Sequence, residues 1–179
     1  MNTPKFSPKK YLSENRNKLT LVKCVVCDGY KNMGLTVCGI IKQQPSGKFC
    51  IALFLVDRFC LGLKNCFVNF NLSENELTDY LQKVAVPDPY VEVSAEYFHN
   101  LIYASIDYAN GLGFLPHQDF ALAQLMLDDS LVNDGIDDIE VGKNGKPFFI
   151  SGPHDNVTKI RATLDRTVGK GNYEYVYVD

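Results

Sequence analysis

Any histidine-based chemistry in this 179-residue chain must use His99, His117 or His154, because the sequence holds no others. His99, Tyr103 and Asp107 recur at i, i+4 and i+8 in a stretch with helical periodicity, which places imidazole, phenol and carboxylate on one stripe. A carboxylate beside an imidazole raises its pKa and fixes its tautomer, as a general base requires. No nucleophile stands beside them, and a helix face bonding to adjacent loops is the favoured explanation. His117 and Asp119 follow Pro116 in what reads as the first turn of a helix. The helix dipole accounts for Asp119 there and keeps His117 neutral, competent as a base or metal ligand. Residues two apart on a helix do not face each other, so capping is favoured over a site.

The segment SGPHDN, residues 151–156, joins a hydrophobic strand to a helix start. Free N–H groups at such a junction, with Ser151, Gly152 and Asn156, can hold a phosphate or carboxylate. The segment is neither a P-loop nor GxGxxG, and Asp155 would repel an anion, so an ordinary turn with Asp155 as N-cap is favoured. His154-Asp155 weakly matches metal phosphohydrolases, which need further histidines. If the chain is an enzyme, His117, Asp119, His154 and Asp57 gathered in one cleft are the catalytic candidates.

All six cysteines lie between Cys24 and Cys66. Cys24 and Cys27 make a lone CxxC within LTLVKCVVC, which reads as strand, and an offset of three on a strand sends the thiols to opposite faces. No second CxxC answers it, and the other four fall at no ligand spacing. A chain of this size without an export signal needs no staples, so the cysteines are expected to be reduced, small buried hydrophobes, with no metal and no cofactor.

The elements that must position these groups follow from periodicity. Residues 8–15 suit a short helix after Pro8, although the tail is polar enough to be a mobile arm. Strands are expected near 19–27, 34–43 and 49–57, with PSGK turning the last two into a hairpin. CIALFLV is apolar at both parities and should lie centrally with helices covering both faces. Ser73 and Glu76 make a capping box for a helix to about Lys83. VAVPDPY breaks regular structure. Ser94 should cap a helix ending at Asn110-Gly111, and Pro116 should start another to about Leu127. An acidic stretch with Asp128, Asp129, Asp134, Asp137, Asp138 and Glu140 lacks the ligand order of an EF-hand and reads as a solvated loop. Asn144-Gly145 should close a type I′ hairpin between IEVG and KPFFIS, followed by a helix from about Asn156 to Val168 and a final strand YEYVYV. The expected fold is α+β: an antiparallel N-terminal meander, central helices and a C-terminal β-β-α-β unit. The expected divisions are a basic arm at 1–18, a β lobe with one helix at 19–86, and a helical and β-β-α-β lobe at 87–179.

Charge is segregated along the chain. Residues 1–70 hold 11 Lys+Arg against 3 Asp+Glu, residues 71–140 hold 1 against 14, and residues 141–179 hold 6 against 4. Opposite fields on two faces could attract each other or dock a charged partner. Lys5, Lys9, Lys10, Arg16, Lys18 and Lys23 would be the phosphate contacts if the basic part binds nucleic acid, although no stacking aromatic series accompanies them. A start without an apolar h-region, and no apolar run near the ~20 residues of a membrane span, point to a cytoplasmic protein without membrane contact.

FLVDRFCLGLKNCF at 54–67, GLGFLPHQDFAL at 111–122 and IEVGKNGKPFFISGP at 139–153 together resemble an uncharacterised bacterial family with the patterns LVDxxCLGxK, GFxPHxDFAL and GKPFxISGP. The resemblance covers most of residues 20–170. Asp57, Cys60, Gly62, Lys64, Pro116, His117, Asp119, Gly152 and Pro153 match; Asn65 stands where the pattern has an acidic residue. Some members carry an SEC-C zinc motif, and this chain has no such run of cysteines and histidines, so the resemblance implies membership without a metal or a mechanism. No motif fixes a reaction. The expected function is a non-enzymatic binding or adaptor protein that recognises a macromolecular partner, a protein first, through its charge-polarised surface. The alternatives are a metal-assisted hydrolase of phosphate esters and a nucleic-acid binder using the N-terminal arm.

Overall fold

Three hydrophobic runs separated by turn residues pair into a meander, β1 (Thr20–Cys27), β2 (Leu35–Gln43) and β3 (Phe49–Asp57), in the computed structural model, which describes residues 6–84, 89–132 and 139–177. Two more strands complete an antiparallel sheet in the order β4-β3-β2-β1-β5: β4 (Gly62–Leu72) and β5 (Tyr90–Val93). Both were missed by periodicity. In β4 the ladder with β3 pairs Val56 with Leu63 but Leu55 with Asn65, so Lys64 is an extra, bulged residue. The bulge shifts the parity of buried positions between Leu63 and Cys66, which erases the alternation a strand should show. β5 follows directly on the Pro87/Pro89 break, yet it pairs with Cys24–Cys27 of β1. Residues 85–88 of that break, and Lys5, Asp134, Asp137 and Asp138, lie outside the described residues.

The interior strand β3, next to the central β2, is covered on both faces, as its two-parity hydrophobicity requires. On one side Phe54, Cys38, Ile40 and Val26 pack against α3 (Ala95–Gly111), through Phe98, Leu101 and Ile102, and against α1 (Pro8–Asn15), through Leu12. Leu12 is wholly buried, so the helical part of the N-terminal segment is docked on the sheet. On the other side Val25, Ile41, Ile51 and Leu53 pack against α2 (Glu74–Val84). Ser73 and Glu76 exchange the reciprocal bonds of a capping box at its start, and Ser94 accepts from Tyr97 N–H at the start of α3.

After α3 the chain departs from expectation at three points. No helix starts at Pro116: His117 N–H donates to the Leu63 carbonyl, which ties this turn to β4 and delays α4 to Phe120–Ala123, continued by a 3-10 turn at Gln124–Met126. Asn144 and Gly145 take positive φ as a type I′ turn demands, but the hairpin shrinks to one bridge between Lys143 and Lys146. Its arms bond elsewhere, Gly142 N–H to Arg58 O and Phe148 N–H to Phe59 O. The C-terminal unit is therefore β6 (Phe148–Ile150), α5 (Val157–Thr167) and β7 (Glu174–Val176), with β6 and β7 parallel. Finally, Asn156 rather than Asp155 caps α5, accepting from Lys159 N–H. A small core of Cys60, Leu61, Leu112, Phe149 and Leu164 joins this unit to the end of α3 and the β3–β4 turn.

Candidate functional site

The turn from β3 to β4 is built around Asp57. Its carboxylate accepts from the N–H groups of Phe59, Cys60 and Leu61 at 3.0, 3.2 and 3.1 Å, closing residues 57–61 into a tight loop. Burial raises the Asp57 pKa, and the three N–H bonds pull the other way. Gly62 leaves the loop with φ +65° directly against α3, where a Cβ would lie 2.6 Å from that of Ala109. Between them Arg58, almost fully buried, donates to the carbonyls of Tyr30, Lys31, Met33 and Glu140. The guanidinium thereby fixes the loop after β1 and the segment entering the C-terminal unit to one point.

The bulge aims Lys64 at the C-terminal unit, where its amine meets the Asp155 carboxylate at 2.7 Å. The same carboxylate oxygen accepts from Gly152 N–H at 2.8 Å. The SGPHD turn thus does present an N–H to an anion, and the anion is the chain's own Asp155. Ser151 is buried and its N–H bonds to Val176 O, while Asn156 is spent on the helix cap. Residues 57–64, the turn at His117 and residues 151–155 accordingly meet at one place.

The Lys64–Asp155 pair stands between two hollows. The inner one, about 440 Å³, has an apolar floor from Cys27, Val37 and Leu55 on the part of the sheet that α2 leaves uncovered, with Asp57 and Lys64 at its end. Phe148 and Ile150 of β6 form its far wall and Met33 and Leu35 its lip, and Met33, Leu35 and Ile150 are each more than 40% exposed. Lys143 stands at the rim, its amine 4.4 Å from the centre of the Phe148 ring. The outer hollow, about 450 Å³, is lined by Leu61, Leu115, His117, Asp155 and Lys159 among others. Leu115 there is 85% exposed.

The four proposed catalytic residues are not brought into one cleft. Asp57 lines the inner hollow and His117 the outer, whereas neither Asp119 nor His154 lines either. His117 Nδ1 accepts from Asp119 N–H at 3.3 Å, a local turn bond, and His154 is solvent-exposed. Among the described residues no three His, Cys, Asp or Glu side chains are grouped to hold a metal ion. The His99 stripe bonds to the adjacent loop, as the favoured reading expected, and makes no catalytic cluster: His99 is buried, bonding to Ala95 O through Nδ1 and accepting Asp128 N–H at Nε2, while Tyr103 bonds Asp129 and Asp107 points to solvent.

All six cysteines are buried and none is in a disulfide. Burial pushes up the thiols of Cys24, Cys38, Cys50, Cys60 and Cys66, to about 12 for Cys24 and about 11 for Cys50 and Cys66, which removes thiolate chemistry at neutral pH for these five. Of the basic candidates, Lys9 and Lys10 are exposed on α1, Lys18 bonds Asn15, Lys23 is half-buried in β1, and Arg16 lines a third hollow. No helix among the described residues is long and apolar enough to cross a membrane. Comparison with family models, with curated proteins and with solved structures finds no match to this chain.

Proposed function

We propose that the chain is a cytoplasmic binding or adaptor protein that recognises a protein partner, with the inner hollow as the seat for apolar side chains and Lys143 at its rim favouring acidic neighbours on the partner. One observation carries this: the ionisable groups at the end of the hollow are already engaged within the fold. Asp57 is held by three N–H groups and Lys64 by Asp155. Groups so held shape a surface and offer no mobile proton, whereas the exposed Met33, Leu35 and Ile150 offer apolar area to a partner. The segregation of charge along the chain adds steering to this contact.

A photo-crosslinking residue placed at Met33 or Ile150 in cells should give discrete protein adducts, and one placed at Lys170 should not. The same adducts should persist with His117→Ala. Hydrolysis of a phosphomonoester by the purified protein, abolished by His117→Ala and unaccompanied by adducts at the rim, would overturn the proposal in favour of the hydrolase.

A further inference from the structure

The inner hollow has two apolar walls that belong to two different sheets. Its floor is the main sheet, where Val37 pairs with Leu55 across β2 and β3. Its far wall is β6, and alternation along that short strand sets what the wall presents. Phe149 is wholly buried in the small core, so Phe148 and Ile150 turn the other way, into the hollow. Val176, exposed and in register with Ile150 on β7, continues the wall past the mouth.

β6 also keeps an unused main-chain edge. Glu174 N–H donates to Pro147 O and Ser151 N–H to Val176 O, so in the parallel ladder the N–H and C=O of Phe149 turn to β7 and those of Ile150 turn away. Phe148 N–H is taken by Phe59 O, while among the described residues the Ile150 N–H and C=O have no backbone partner.

Size and charge narrow the occupant. One turn of helix, ~5.4 Å long and ~10–12 Å across, fills about 400–600 Å³. The whole hollow is about 440 Å³, so a helix cannot enter it beyond a single turn. An extended segment is thinner, and its consecutive side chains leave on opposite sides, one for each wall. Of the charged lining residues, Asp57 is held by three N–H groups and Lys64 by Asp155, which leaves Lys143 at the rim as the charge open to a partner. Glu174, beside Phe148 on β7, does not line the hollow.

We infer that the partner enters as an extended segment with two consecutive large apolar residues and an acidic residue next to them, its main chain bonded to Ile150 and its acid at Lys143. Strand addition of this kind takes affinity from main-chain bonds and specificity from the alternating side chains. The inference rests on the reading of this hollow as a protein-binding site and adds the form of the partner.

Selection of a random nonapeptide library displayed on phage against the purified protein, with Met33→Asp as the counter-selecting protein, tests it. Enriched peptides should carry two adjacent apolar residues with Asp or Glu within two positions of them. A synthetic peptide of the consensus should bind saturably in fluorescence anisotropy. Lys143→Glu should weaken that binding by about tenfold and improve binding of the same peptide with Lys in place of its acid, and Lys170→Met should change neither. Methylating the amide nitrogen of the residue that pairs with Ile150 should weaken binding by a similar factor, so that a scan of single methylated amides finds one sensitive position. Met33 and Lys143 are both exposed, so their variants leave the core intact. Enrichment of apolar residues three or four apart, the spacing of a helix, overturns the inference, as does binding indifferent to Lys143→Glu and to every methylated amide. Absence of enrichment also overturns it. If crosslinks at Met33 and Ile150 are found all the same, the partner-binding reading stands without it; if they fail too, both fall.

Discussion

Replacing Asp155 by Asn leaves the Lys64 ammonium facing a neutral amide in place of a carboxylate 2.7 Å away. The two side chains are only 16% and 12% exposed, so the pair belongs nearer to the buried class, where removing one partner costs about 3–5 kcal/mol, than to the surface class at about 0–1 kcal/mol. Partial solvent access brings the expected cost of Asp155→Asn to about 3 kcal/mol. Lys64→Met should cost about 2 kcal/mol, because the orphaned carboxylate keeps the Gly152 N–H at 2.8 Å and can be reached by water. The double variant should cost far less than the two together, with a coupling of about 1.5–2 kcal/mol. Urea unfolding of the four proteins at neutral pH, in low and in molar salt, measures this. Additive single costs, or costs that disappear in high salt, would refute the claim that a desolvated ion pair forms the wall between the two hollows.

Gly62→Ala should destabilise by about 3 kcal/mol or more, combining a left-handed φ for alanine with overpacking against Ala109 and the Ser105 carbonyl. Adding Ala109→Gly should recover only part of it in urea melts, since the carbonyl contact at 2.9 Å remains. The native protein should resist Ellman's reagent at pH 8 on a scale of minutes and yield all six thiols in urea; one fast thiol in the native state contradicts the burial described for the cysteines. His99 is held below its ordinary pKa of 6.5, first by burial, so as pH falls through that value the unfolded chain binds the proton and the native state does not. Stability should therefore drop on acidification from about pH 7.5 to 5.5, and His99→Gln should flatten that slope; an unchanged slope shows that His99 is not its source.

The meander and the helix starts were legible because their signals are local. Hydrophobic runs bounded by turn residues, and the PSGK turn, give β1 to β3 within a residue, and Ser73–Glu76 and Ser94 mark two helices by side-chain chemistry that acts within one turn. β4 was hidden because its parity slips at a bulge, and a bulge is a property of the partner strand's register rather than of the residue itself. Asp155 was read as a cap from its place before α5, and its true partner lies 91 residues away. The histidine stripe shows the converse: helical spacing correctly places His99 and Asp107 along α3, but burial against the sheet takes one inside and leaves the other in water. The meeting of residues 57–64, 117 and 151–155 depends on tertiary folding alone.

A single in-frame codon separates a β3–β4 ladder that runs evenly from Gly62 to Asn69 from one that carries Lys64. Deleting that codon would let Leu63 and Asn65 follow one another opposite Val56 and Leu55 with every other pairing unchanged. A point substitution keeps the extra backbone and alters only what it bears. Mutational libraries restricted to replacements therefore never sample the variant that most cleanly opens the partition between the two hollows; deletion scanning does.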